Sequence, residues 1–206
     1  MRILIACECS GRVREAFRKR GHDAYSCDLK PSEDNSPFHI QGDCLPLLKQ
    51  DWDMMIAFPP CTHLACSGAA WFEKKRKDGR QQQGIDFFMQ FTKTKIPRVC
   101  IENPVGIMSK LYRKPSQIIQ PYYFGDEFQK TTCLWLTRLA PLLHAKEDDL
   151  FMKKTHVGKG EFKQYADGTT RTAWFNATGN EEPSTYRSRL FPGIAQAMAE
   201  QWSSII

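Results

Sequence analysis

The sequence predicts an α/β fold built on a largely parallel sheet, and two observations carry that reading. Short apolar runs of strand length alternate with segments whose apolar residues recur at helical spacing. The runs also lead into polar, chemically useful residues: Glu8 and Ser10, then Asp28, Cys61 and Glu102. Ligands of such sheets gather at the carboxyl ends of the strands, so the second observation points to a site as well as a fold.

Residues 3–6 are the first strand, and Ser10-Gly11 opens a helix. Val13, Ala16 and Phe17 line its apolar face, Arg12, Arg14, Arg18 and Lys19 its polar face, and Gly21 ends it. Residues 24–27 form a second strand that ends in Asp28. Residues 53–58 form another, stopped by Pro59-Pro60. A polar, basic loop follows, and then residues 81–93 carry Ile85, Phe88, Met89 and Thr92 at helical spacing. Residues 99–101 are a strand ending in Glu102-Asn103-Pro104, and residues 131–136 are a later one. Residues 147–183 are rich in Lys, Gly, Thr and Asn and irregular in pattern. Residues 191–206 read as a final helix with Ile194, Ala197, Met198 and Trp202 as its apolar stripe.

This order divides the chain into a core (1–136), a small insert (137–186) and a C-terminal helix packing back on the core (187–206). A length of 206 residues with 41% hydrophobic and 25% charged content suits one compact domain. No apolar run is long enough to cross a bilayer, and residues 1–6 are too brief for a signal peptide. The expectation is a cytoplasmic protein with no membrane partner.

Eight cysteines are expected to be reduced. Cys27, Cys100 and Cys133 lie inside apolar runs, where a thiol behaves as a small hydrophobe. Cys7-Glu8-Cys9 and the Cys61…Cys66 spacing lack the paired C-x-x-C pattern of structural zinc, so no metal is expected. The net charge of +6 includes a basic run, Lys74, Lys75, Arg76 and Lys77 with Arg80, and a looser one, Lys153, Lys154, Lys159 and Lys163. A charge run is ordinarily a solvated face. The position of the first run, shortly after Cys61, favours a nucleic-acid partner.

A lone Pro-Pro-Cys is an ordinary turn with a passive cysteine. Glu102 changes that reading, because in a parallel sheet its carboxylate can face Cys61 across neighbouring strand ends. A thiolate and a carboxylate together suit methylation at carbon 5 of a pyrimidine. Thiolate addition at C6 makes C5 nucleophilic, and an acid bonded to N3 and the exocyclic amine offsets the developing charge. The base must then be flipped out or single-stranded.

These residues resemble the cytosine-C5 methyltransferase family. Phe58-Pro59-Pro60-Cys61, with Ser67-Gly68 following, matches its nucleophile loop, and Glu102-Asn103 matches its Glu-Asn pair. Residues 3–11 stand where its first cofactor motif belongs, Asp28 where an acid binds ribose hydroxyls, and Gly42-Asp43 where a pair contacts adenine. Tyr123-Phe124-Gly125 onward to Leu136 is similar to its Tyr-Gly, Gln, strand segment. The resemblance implies a Rossmann-like S-adenosylmethionine-dependent methyltransferase fold with a small irregular insert, in a small, phage-like member of the family. It implies a catalytic set of Cys61, Glu102, Asn103 and Pro60. It implies S-adenosylmethionine held by Ala6, Cys7, Glu8, Ser10, Gly11, Asp28, Leu29, Asp43, Cys44 and Pro59. Nucleic acid would meet Ser67, Lys74, Lys75, Arg76, Arg80, Lys130, Arg187 and Arg189, with the basic run on a mobile closing loop.

Two departures stand out. The family's Gln-x-Arg-x-Arg stretch is here Gln129-Lys130-Thr131-Thr132, and its large target-recognition domain shrinks to about residues 137–186. Target choice could therefore come from a short insert or from a partner protein. Trp174 and Phe175 are expected to pack the insert, with stacking beside the flipped base as the alternative. The expected function is DNA cytosine-5 methylation through a covalent Cys61 adduct, in the host cytoplasm if phage-encoded. RNA or nucleotide methylation and non-catalytic DNA binding are the alternatives. A zinc deaminase is disfavoured, since no His-x-Glu occurs.

Overall fold

The structure is a computed structural model that describes residues 1–164, 168–172 and 188–203. Arg187, Trp174 and Phe175 fall outside the described residues.

Seven strands form one sheet: β1 (Arg2–Ala6), β2 (Asp23–Asp28), β3 (His39–Gln41), β4 (Met54–Ala57), β5 (Arg98–Pro104), β6 (Gln117–Ile119) and β7 (Thr132–Thr137). Their order is β3-β2-β1-β4-β5-β7-β6. The first five are parallel to one another, and β7 runs antiparallel between β5 and β6. This is the Rossmann-like α/β fold the sequence predicts. A separate hairpin, β8 (Phe162–Gln164) and β9 (Thr170–Thr172), follows β7 in the chain.

The central strands carry continuous apolar runs, Ile3 to Ala6, Met54 to Ala57 and Val99 to Ile101, because both faces of the sheet are covered. Along β1, Ile3 and Ile5 join a core layer with Val13 and Phe17 of α1 (Arg12–Arg18) and with Ile194, Met198 and Trp202 of α5 (Pro192–Ser203). Leu4 and Ala6 point the other way, into a layer with Phe88 and Phe91 of α3 (Arg80–Thr92) and with Trp135. Cys27, Cys100 and Cys133 are buried, and all eight cysteines are free thiols.

Three differences from the sequence reading bear on the site. First, β5 continues through Glu102, Asn103 and Pro104 rather than stopping before them. Pairing with β4 ends at Ala57–Ile101, but β7 supplies Leu134, Cys133 and Thr132 as partners for the next three residues. Second, the basic stretch is a helix, α2 (Phe72–Lys77), where a loop was expected; it lacks an apolar stripe to announce it. Third, β3 and β6 were missed, since three residues carry too little alternation to read. A single helical turn, α4 (Met108–Leu111), follows β5. No described helix is long and apolar enough to cross a membrane.

Candidate active site

The parallel register brings the carboxyl ends of β2, β1, β4 and β5 side by side, with Cys27, Ala6, Ala57 and Ile101 level across them. The chain leaves β4 through Phe58, whose N–H donates to the Ala6 carbonyl at 2.9 Å, and then enters Pro59-Pro60-Cys61. Two prolines fix the backbone and remove two donors, so the loop depends on its carbonyls to anchor it. Asn103, almost wholly buried, donates its side-chain amide to the Pro59 carbonyl at 2.7 Å and to the Glu102 carbonyl at 3.0 Å.

Past Cys61 the loop is stitched to the segment that follows β5. Cys66 N–H donates to Val105 carbonyl at 2.9 Å and Ile107 N–H to Leu64 carbonyl at 3.0 Å, around an Ala65–Gly106 bridge. Gly106 permits this approach, because a Cβ there would collide with the Leu64 carbonyl.

Cys61 is half-buried and Glu102 is 7% exposed. Among the described residues, Glu102 Oε1 is a buried oxygen with no hydrogen-bond partner. Burial pushes the Glu102 carboxyl above its usual range, while the Lys130 charge pulls it back. Burial, and then the Glu102 charge, push the Cys61 thiol up, and Lys130 again opposes them. Cys61, Glu102 and Lys130 thus form one electrostatic cluster. Its Nζ also reaches the Arg189 carbonyl at 3.4 Å.

The expected cofactor residues lie at or follow the ends of β1, β2 and β3, except Pro59, which follows β4. Cys7 and Gly11 both take the left-handed conformation, which opens a wide turn between β1 and α1. Glu8 turns inward: its carboxylate accepts from Val13 N–H at 2.8 Å, Arg14 N–H at 3.4 Å and Ser10 Oγ at 3.1 Å. Burial pushes its pKa up, and those three donors hold it back. Cys7 and Cys44 place their sulfurs 3.7 Å apart, and Cys27 Sγ donates to Gly42 carbonyl at 3.4 Å. Asp28 and Asp43 each accept a backbone N–H two residues on, from Lys30 and Leu45. Leu29 beside them is 75% exposed, a large apolar side chain at the rim.

This arrangement discriminates between cofactors. Folds that bind dinucleotides seat a pyrophosphate on the N–H groups of the helix after β1. Here the Glu8 side chain already occupies the Val13 and Arg14 N–H groups, so a pyrophosphate would find them taken. The remaining acceptors, Asp28 and Asp43, are of the kind that can accept from ribose hydroxyls. S-adenosylmethionine carries no pyrophosphate and makes no demand on those N–H groups.

Of the expected nucleic-acid residues, Ser67 is exposed in a 3-10 helix, Cys66–Trp71, and Lys74, Arg76 and Lys77 are exposed on α2. Lys77 pairs with Glu73 at 2.9 Å, and Arg80 Nε with Asp78 at 2.9 Å. Lys75 is instead buried, with Nζ donating to the Thr62 carbonyl at 2.6 Å. Arg189 pairs with Glu33 at 2.8 Å, joining the segment before α5 to the loop after β2. Sequence reasoning passed over Gly106 and Glu33. A glycine two residues beyond Glu-Asn-Pro was a readable sign of close backbone approach; Glu33 carried no such sign.

Compared with known proteins, the chain matches no family model and no curated protein. Among solved structures it is similar to a protein encoded within an E. coli prophage and described as a candidate DNA modification methyltransferase. The TM-score is 0.48 and the identity 16%, over 76% of this chain and 51% of the other, so the chain spans about half that structure's length.

Proposed function

We propose that the chain is an S-adenosylmethionine-dependent methyltransferase that acts at C5 of a flipped cytosine in DNA, with Cys61 as nucleophile. The observation that carries this reading is the buried, unpartnered Glu102 Oε1 in the same electrostatic cluster as Cys61. Burial favours the protonated form of this carboxyl, and in that form it can donate to N3 of cytosine while its other oxygen accepts from the exocyclic amine.

The Cys61 thiol gives its proton to solvent, and the thiolate forms a bond to C6. The C5–C6 π pair moves into the ring toward C5 and N3, where Glu102 offsets the charge. Bound S-adenosylmethionine would supply an electrophilic methyl group to C5, its sulfur keeping the electron pair of the broken S–CH3 bond and leaving as the neutral thioether S-adenosylhomocysteine. Loss of the C5 proton to water returns a pair to the ring and expels Cys61 as thiolate. Pro60 and Asn103 act on geometry: one stiffens the loop and the other ties it to the strand of Glu102. The exposed cations of α2 supply attraction to a phosphate backbone.

The test compares transfer of labelled methyl from S-adenosylmethionine to duplex DNA, transfer RNA and cytidine monophosphate. Transfer to DNA that vanishes in Cys61→Ala is the expected result. Preference for RNA or nucleotide would move the substrate, and no transfer to any would overturn the enzyme reading.

A further inference from the structure

The nucleophile loop is anchored by its carbonyls, and the donors come from five different places. Pro59 is held by Asn103 of β5, Cys61 by the N–H groups of Leu64 and Ala65, and Leu64 by Ile107. His63 carbonyl accepts from Gln81 of α3 at 3.4 Å, and Thr62 carbonyl from Lys75 of α2 at 2.6 Å. Lys75 is the one residue that α2 buries. A helix that docks through a single side chain ordinarily uses an apolar one, because burying an ammonium is costly unless its donors are used. A lysine serving phosphate would instead carry its head group into water, as Lys74 and Lys77 do on the same helix.

We propose that Lys75 is a positioning residue for Cys61: it fixes the carbonyl immediately after the nucleophile and so couples helix α2 to the reacting thiol. Gly68 supports the same contact, since a Cβ there would press on Lys75 Nζ at 3.3 Å. The proposal rests on the methyltransferase reading for its kinetic consequence and on geometry alone for its effect on the thiol. Misplacing a reacting group by about 1 Å costs on the order of 100-fold in rate.

The test uses the full chain with Lys75→Met, Gly68→Ala and Lys74→Met. Lys75→Met should lower kcat about tenfold or more, leave KM for DNA within about twofold, and keep the slope of log K against log salt. Gly68→Ala removes no charge and should lower kcat in the same direction by less. Lys74→Met should reduce the salt slope by about one. A raised KM and reduced salt slope in Lys75→Met with unchanged kcat would show a phosphate contact and overturn the proposal. Iodoacetamide alkylation of Cys61, followed by peptide mass mapping, reads the positioning without substrate. If the wild-type chain transfers no methyl group, the functional reading fails. Even then, an altered Cys61 alkylation rate in Lys75→Met and Gly68→Ala upholds the positioning role, and an unaltered rate overturns it.

Discussion

Asn103 and Pro59 are joined across adjacent strand ends by a 2.7 Å hydrogen bond from the side-chain amide to the carbonyl. Pro59 begins the Cys61 loop and Asn103 follows Glu102 directly, so this bond ties the loop of the thiol to the strand of the carboxyl. Replacement by Ala leaves the Pro59 carbonyl without its buried donor. Asn103→Ala should lose about 1–3 kcal/mol of stability in urea denaturation. In single-turnover methyl transfer it should lose on the order of 100-fold. An active, fully stable Asn103→Ala protein would remove the clamp from the account.

Glu102 bears opposite consequences for stability and activity. Its folded pKa lies above the ordinary carboxylate value, so its contribution is fully present below the ordinary range and is lost as pH rises through the raised pKa. At neutral pH the wild-type protein therefore carries a cost that a neutral isostere avoids. Glu102→Gln should be more stable than wild type at pH 7, with the difference shrinking in acid. Its methyl transfer should fall by on the order of 100- to 1000-fold. Chemical denaturation at pH 7 and pH 4 checks the first part, and equal stability at both would contradict it.

The Cys61 thiol is held above its ordinary range by burial and by Glu102, and is lowered by Lys130. Its alkylation rate should accordingly climb with pH beyond the range where an exposed cysteine levels off. Glu102→Gln should move that rise to lower pH and Lys130→Met to higher pH. Mass-mapped alkylation across pH 7 to 10 separates the three curves.

Gly106 permits backbone contact between the two halves of the site. In Gly106→Ala the added Cβ would meet the Leu64 carbonyl. The loss should be about 1–3 kcal/mol, as for other overpacked positions, with reduced methyl transfer. A thermal melt and a transfer assay read both.

The strand ends and the residues they carry were legible because each is a local pattern: an apolar run, then Glu8, Asp28, Cys61 or Glu102. The extension of β5 through Glu102 was not, because it depends on β7 arriving antiparallel from thirty residues away. The helix at Phe72–Lys77 and the burial of Lys75 were illegible for a related reason. The residue that docks this helix is charged, and its partner is a backbone carbonyl, which leaves no mark in side-chain pattern. Glu8 was legible in place but not in orientation, since its partners are backbone N–H groups of the helix it precedes.

The central claim is that Cys61 attacks cytosine. Incubation with S-adenosylmethionine and duplex DNA containing 5-fluorocytosine tests it most directly, because fluorine at C5 blocks the elimination that would release the enzyme. The account expects a denaturation-resistant protein–DNA adduct whose peptide map places the bond at Cys61, absent in Cys61→Ala. No adduct across DNA of varied sequence, or an adduct at another cysteine, would contradict it.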